Sequence, residues 1–414
     1  MRVSPTEKFP SSLTAFRILF PFSIGYFFSF FLRSVNAVIS PDLVRDIGAS
    51  AADLGLITSA FFFSFALFQI PLGLLLDRFD PKKIGGTLLL FGVAGTLVFA
   101  WGRTVPTLVA GRALIGIGFS GALMTPFIAN VLWFPKDRVV LTNSVILTGG
   151  GLGGLASTTP IEYFLRFSDW STLFVLSSGL IALVSAMIFL LVPARAPEKS
   201  GETVREQWRG YLEILKRSVF WKYALVYALS TGSFLSFQGL WAAPWFRDVA
   251  GFERPEVALH LLVLSFSMIP GYFAMGIIFS LLKPSGFRRR FIMGMSFILF
   301  EAVQLLILFE VVSPSYLIWA LLGLLGTSSA PVYAILTGFF PHHLAGRVNT
   351  MVNMFLLFAT FGIQYAMGIL IDLWPLTATG GYHPQAYQAA FGFALGLQFA
   401  ALVWFFLSGE REEG

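Results

Sequence analysis

Long apolar runs alternate with short polar turns along almost the whole chain. A helix crossing a bilayer needs about 20 consecutive, mostly apolar residues. Runs of that kind lie near 13–38, 54–76, 84–102, 107–133, 139–164, 172–193, 219–244, 257–282, 290–310, 314–340, 347–373 and 386–408. The pattern predicts twelve membrane-spanning helices with short connections. The longest polar stretch, 194–222, falls between the sixth and seventh runs, and its central part, from Glu198 to Arg217, mixes charged residues with Trp208 and Tyr211. It is expected to be a cytoplasmic linker carrying one surface helix. The expected division is a six-helix bundle over 1–194, a linker over 195–218 and a second six-helix bundle over 219–414.

Composition supports lipid as the main solvent. Of 414 residues, 56% are hydrophobic and 12% are charged, against about 25% charged in a soluble domain. The formal net charge of +6 is topological rather than a nucleic-acid footprint. With the N-terminus placed in the cytoplasm, the cytoplasmic segments hold 21 Lys and Arg, the opposite side holds five, and Arg33 and Arg112 lie within spans. That asymmetry is the positive-inside rule, so both termini are expected in the cytoplasm of a bacterial-type inner membrane. The chain has no cysteine, which excludes disulfides, thiolate metal sites and cysteine nucleophiles. The first run is too long for a signal-peptide core and is expected to be a retained helix. His260, His342, His343 and His383 are spread over helix ends and loops, so neither a metal nor another cofactor is expected.

The two halves resemble one another. Trp133-Phe134-Pro135 with Arg138 follows the fourth run, and Phe339-Phe340-Pro341 with Arg347 follows the tenth. The loop after the second run, from Asp77 to Lys83, corresponds to the loop from Lys283 to Arg290 after the eighth. Both pairs are about 206–209 residues apart. Parallel six-helix repeats around a central site characterise one class of secondary transporter. The expected fold class is thus an all-α integral membrane protein, with twelve transmembrane helices in two pseudo-symmetric six-helix bundles around a central cavity.

Three motifs sharpen this. Gly73-Leu-Leu-Leu-Asp77-Arg78-Phe-Asp-Pro-Lys82-Lys83 resembles the signature loop of the major facilitator superfamily, with Asp80 where the family usually has glycine. In the second copy Lys283 takes the place of the acid. Arg112-x-x-x-Gly116-x-Gly118 is similar to the family's fourth-helix Arg-Gly pattern. The fifth run contains Gly149-Gly150-Gly151-Leu-Gly153-Gly154, where small residues let membrane helices approach closely. Pro160 follows Thr159 rather than a glycine, unlike the Gly-Pro pair of the family's exporters. The resemblance implies that Gly73, Asp77 and Arg78 form a gating latch that breaks when the two halves rock, and that helices one, four, seven and ten line a cavity.

On those implied cavity helices, polar residues form stripes. The first run carries Ser23, Tyr26, Ser29, Arg33, Asn36 and Ser40 at spacings of three and four, one continuous helical face. The seventh carries Tyr223, Tyr227, Ser230, Phe234, Gln238, Trp241 and Trp245, of which Trp245 suits the interfacial aromatic belt. The tenth carries Trp319, Gly323, Gly326, Ala330, Tyr333 and Thr337. No acidic residue occurs in the first, fourth or tenth run, or in the seventh before Asp248. The candidate substrate-binding residues are therefore Arg33, Asn36, Tyr26, Ser29, Arg112, Tyr227, Gln238, Trp241 and Tyr333. Arg33 is the expected partner of a negatively charged group, which a guanidinium grips with two hydrogen bonds. Glu301, deep in the ninth run, is the candidate for proton coupling.

These readings point to a monomeric secondary active transporter of a small organic solute, expected to be anionic by the logic of Arg33, driven by protons or another ion. An exporter of drugs or metabolites with the same fold stays open. So does, from a different class, an intramembrane transferase, although no convergent catalytic side chains at a membrane face are found.

Overall fold

The computed structural model describes residues 10–135, 137–195, 204–282, 286–341, 344–378 and 380–407. Lys136, Glu198, Lys283, His342 and His343 lie outside the described residues. Every expected run has a helical counterpart, but several are broken where the run reads as continuous.

The first is α1 (Ser12–Ser34) followed by α2 (Asn36–Ile47), with Val35 between them. The Ser11 hydroxyl begins α1 by accepting from the Thr14 amide at 3.2 Å, an ordinary N-cap. α2 continues beyond the apolar run, so its last turns stand outside the span. The second span is α3 (Ala51–Leu76) and the third is α4 (Pro81–Trp101). The fourth is split into α5 (Val105–Phe119) and α6 (Met124–Trp133), and the fifth into α7 (Val139–Ala156) and α8 (Thr159–Phe164). α9 (Trp170–Leu191) is the sixth, capped by Asp169, which accepts from the Thr172 amide at 2.7 Å.

α10 (Val204–Lys216) is the surface helix expected in the linker. The seventh span is α11 (Ser218–Ser236), a π-helical turn over Phe237–Trp241, and α12 (Ala242–Asp248). α13 (Arg254–Leu282) and α14 (Gly286–Leu308) form the eighth and ninth. The tenth is split into α15 (Ser315–Gly326) and α16 (Val332–Thr337), and α17 (Ala345–Ile371) and α18 (Pro384–Leu407) complete the set. Among the described residues, nine segments are long and apolar enough to cross a membrane. The other three expected spans are the fifth, seventh and tenth, each interrupted by a break or a π turn.

The chain forms two compact units, one of residues 1–47 and 60–204, the other of 48–59 and 205–414. The division at 204/205 falls inside the expected linker. The first turns of α3 group with the second unit, whereas the division expected from sequence is contiguous. The cause is local: the Asp372 carboxylate, at the end of α17, accepts from the Ala51 and Ala52 amides at 2.9 and 2.8 Å. A carboxylate there satisfies two amides that a helix start leaves open and sits favourably at the positive end of the helix dipole. Backbones also meet closely here, since a Cβ on Gly368 would lie 2.5 Å from the Ala51 carbonyl oxygen.

Within each unit the same pairings recur. The first span packs on the fifth and sixth, and the seventh on the eleventh and twelfth. The third packs on the fourth and sixth, and the ninth on the tenth and twelfth. The glycine run of α7 serves the first of these contacts. A Cβ on Gly149 would lie 2.5 Å from the Ser23 carbonyl oxygen, so only a residue without a side chain lets α1 and α7 come this close.

Candidate functional site

Interrupted membrane helices expose backbone groups that must find partners, which is why they tend to mark ligand sites. The fourth and tenth spans break after Phe119 and Gly326, 207 residues apart. The two breaks therefore fall at matching positions of the repeat. The composition of the breaks explains them: Ser120-Gly121-Ala122 in one, Thr327-Ser328-Ser329-Ala330-Pro331 in the other. Hydroxyls that bond back to the preceding turn compete with helix hydrogen bonds, and Ser120, Thr327 and Ser328 all do so, onto Ile117, Leu324 and Leu325. Gln69 of α3 donates to the Ser120 carbonyl at 3.3 Å, supporting the fourth-span break.

In the first unit the break of the first span carries Arg33. Its guanidinium carbon lies 4.6 Å from the Phe30 ring centroid and 5.8–5.9 Å from those of Phe61, Phe62 and Phe65. Three of these rings come from the Phe61-Phe62-Phe63-Ser64-Phe65 segment of α3. Aromatic faces attract a cation through their quadrupole, so the charge sits in an aromatic half-box. Arg112 of α5 is fully buried and reaches the same break: its Nη1 donates to the Leu32 carbonyl at 2.6 Å, and it lies over the Phe99 ring at 5.4 Å. Its Nε and Nη2 have no hydrogen-bond partner among the described residues. Arg112 thus holds the backbone next to Arg33 instead of facing an opening.

The remaining first-span residues are enclosed. Asn36 begins α2 and is buried, and Ser29 is buried as well. Tyr26 meets Phe30 edge-to-face at 5.1 Å and covers Gly150 of α7. The stripe predicted on α1 is real as a helical face, but its inner part, Ser23 and Tyr26, packs on the fifth span.

In the second unit Tyr227 and Tyr333 come together. Their hydroxyls are 3.3 Å apart, their rings meet edge-to-face at 5.4 Å, and Tyr333 donates to Asn353 Oδ1 at 3.5 Å. One turn away, Thr231 and Ser329 hydroxyls are 2.8 Å apart, joining the seventh span to the break of the tenth. Thr231, Ser329 and Asn353 were not among the residues singled out from sequence. The hydroxyl-rich run before Pro331 is the signal for Ser329; nothing in the pattern of the eleventh run singles out Asn353.

Gln238 and Trp241 are turned elsewhere. Gln238 Nε2 points to Met268 Sδ and Ser265 Oγ, at 3.0 and 3.4 Å, and Trp241 Nε1 donates to the Gln364 carbonyl at 3.1 Å. The π turn that contains both advances their faces relative to a regular helix, which a period-3.6 reading of the stripe misses. Trp245 is buried against Trp319, with ring centroids 5.4 Å apart, and so lies in the helix interior rather than in a lipid-facing belt.

Glu301 is buried in α14, and its Oε1 has no hydrogen-bond partner among the described residues. One turn on, Gln304 and Gln398 exchange amide hydrogen bonds at 2.8 and 2.9 Å, tying α14 to α18. In the signature loop, Gly73 accepts the Asp77 amide at 3.1 Å, Asp77 is half-buried at the carboxyl end of α3, and Arg78 is exposed. Asp80, at the family's glycine position, is a structural cap: it accepts from the Lys82 amide at 2.9 Å and from the Arg195 amide at 3.0 Å. Its extended backbone, φ −60° and ψ 125°, needs no glycine.

Comparison with known proteins agrees with this architecture. The family model described as Major Facilitator Superfamily matches residues 22–287. The "Probable sulfoacetate transporter SauU" of Cupriavidus necator is 27% identical over 195 residues, 47% of this chain and 45% of its own length. The "Probable galactarate/D-glucarate transporter GarP" of Escherichia coli is 28% identical over 183 residues, 42% of this chain and 41% of its own length. The aligned parts thus span less than half of these curated relatives. Among solved structures, the crystal structure of a D-xylose–proton symporter superposes with a TM-score of 0.73 at 15% identity, covering 97% of this chain and 99% of that one.

Proposed function

The chain belongs to the Major Facilitator Superfamily, a family of multi-pass membrane transporters rather than enzymes, and from that premise we propose that it is a secondary active transporter of a small organic anion. The observation that carries this reading is Arg33, a permanent cation set at the break of the first span and held by aromatic faces. Ring contacts engage the flat face of a guanidinium, whereas carboxylate, sulfonate or phosphate is gripped through its N–H edge. The substrates named for the two relatives, sulfoacetate and galactarate or glucarate, are anions, which supports the same class.

In this proposal Arg33 binds the anionic group, with Asn36 and Ser29 beside it. Within the second unit, the paired hydroxyls of Tyr227 and Tyr333 are the proposed solute contacts. Arg112 is a positioning residue, acting through the Leu32 carbonyl. Alternating access follows the rocker-switch mode, with Gly73, Asp77 and Arg78 as gating residues and both termini in the cytoplasm. Asp77 stands at the negative end of the α3 dipole, where a carboxylate is favoured only with a cation or donor to hold it. Coupling is to protons, carried by Glu301, a mid-span acid with a buried oxygen that no donor among the described residues satisfies. Uptake into proteoliposomes, against a panel of sulfonates, hydroxylated dicarboxylates, neutral sugars and amines, tests the reading. Selective uptake of an anion supports it, and transport of only neutral or cationic solutes overturns it.

A further inference from the structure

The linker helix α10 distributes its residues around the axis in four sectors. At about 100° per residue, Gln207, Gly210, Tyr211 and Ile214 fall on one side, and all four are buried. A Cβ added to Gly210 would meet the side chains of Arg347 and Leu344, so this face docks on the start of α17. The opposite side is exposed and is itself graded. Trp208 and Leu212, 47% and 52% exposed, form an apolar edge. Arg205, Arg209 and Lys216 form a basic stripe next to it, and Glu206 and Glu213 lie on the far flank.

The attachment of α10 fixes where this face stands. A single extended residue, Arg217 (φ −82°, ψ 121°), separates it from α11. Trp221, in the first turn of the seventh span, donates from Nε1 to the Leu215 carbonyl at 2.8 Å. That bond satisfies one of the last carbonyls of α10 and ties the helix to the mouth of the span. A helix in such a place with exposed tryptophan and leucine, then a basic row, then acids facing away matches the polarity gradient of a lipid interface.

We propose that the exposed face of α10 lies on the membrane surface and recognises anionic phospholipid headgroups. Trp208 and Leu212 enter the boundary between headgroups and chains, Arg205, Arg209 and Lys216 contact the phosphates, and Glu206 and Glu213 face water. Charge complementarity selects this occupant: basic residues beside a span attract the negatively charged leaflet. That the leaflet is the cytoplasmic one rests on the topology proposed above; the lipid contact itself does not.

The test uses the full chain, in which single cysteines can be labelled cleanly because no native cysteine exists. Leu212→Cys and, as a water-facing control, Glu213→Cys are labelled with bimane in nanodiscs of phosphatidylcholine alone or with phosphatidylglycerol. Both leaflets of a nanodisc have the same composition, so the result does not depend on orientation in cells. The expected result is quenching of the Leu212→Cys label by shallow spin-labelled lipid, stronger with phosphatidylglycerol. That increment should vanish in the Arg205→Gln/Arg209→Gln/Lys216→Gln background, with monodispersity and helix content unchanged. Quenching of both labels equally by aqueous iodide, or lipid quenching indifferent to phosphatidylglycerol, overturns the proposal. A topology failure would show separately, as external labelling of Glu213→Cys in intact cells.

Discussion

Arg112 donates to the carbonyl of Leu32 at 2.6 Å, one residue before Arg33, so the two intramembrane arginines act on the same helix break. One is fully buried and braces the backbone; the other carries the charge proposed to meet substrate. Arg112→Ala removes a large buried side chain and leaves the Leu32 carbonyl without its donor. It should lower stability by roughly 2–4 kcal/mol and raise the apparent KM, because the Arg33 backbone is no longer held. Thermal unfolding in detergent and a KM-against-kcat comparison check this. An unchanged KM in a folded Arg112→Ala protein would separate the two arginines.

Asp77 and Asp80, three residues apart, should behave differently. Asp80 caps α4 and holds the Arg195 amide, so Asp80→Ala should cost about 1–2 kcal/mol of stability with turnover retained. Asp77→Asn should leave stability alone and slow transport by about tenfold or more, a barrier increase of about 1.4 kcal/mol. Matched thermal melts and initial rates in proteoliposomes compare them. Equal rate losses in the two variants would remove the gating role of Asp77.

Asp46 provides a pH-dependent contact in the last turn of α2. Its hydrogen bond from Arg45 Nε, at 2.8 Å, holds its carboxyl below the ordinary range despite partial burial, and Trp170 Nε1 adds a second donor at 2.9 Å. A depressed folded pKa means that the stabilisation is complete above the unfolded value and is lost as pH falls through the folded one. The melting-temperature gap between wild type and Asp46→Asn should therefore be full at neutral pH and close below about pH 4. A gap that is constant with pH would contradict this assignment.

Glu301→Gln should retain solute exchange and lose accumulation driven by a pH gradient. Counterflow and gradient-driven uptake in the same proteoliposomes distinguish the two activities. Unchanged accumulation would assign Glu301 to the polar contact between α14 and α18, beside the Gln304–Gln398 pair.

Topology was the most legible part of the sequence, because bilayer thickness imposes one length on every apolar run. The repeat was also legible, through Pro135 and Pro341 and the two basic loops, and the recurring helix pairings follow it. The breaks inside spans were not, since a run such as 107–133 stays apolar through Ser120-Gly121-Ala122 and hydropathy averages over the interruption. Side-chain direction was lost for the same reason. Tyr227 and Tyr333 lie where a regular period puts them and meet, whereas Gln238 and Trp241, within the π turn, do not face the way that period implies. The aromatic half-box of Arg33 was missed because three of its rings come from α3, a helix read only as apolar. The tether of Asp372 to Ala51 and Ala52 pairs residues about 320 positions apart, which no local pattern encodes.

The central claim is that Arg33 binds an anionic substrate group, and the most direct test is transport by Arg33 variants of the anion selected from the uptake panel. Lysine keeps the charge but loses the planar fork and its fit to the aromatic faces. Arg33→Lys should therefore raise the apparent KM by about tenfold, equivalent to about 1.4 kcal/mol, near the low end of the roughly 1.5–3 kcal/mol that a hydrogen bond to a charged group contributes. Arg33→Ala should abolish measurable uptake, with membrane insertion and melting temperature preserved. Wild-type transport of the anion by a folded Arg33→Ala protein would contradict the account.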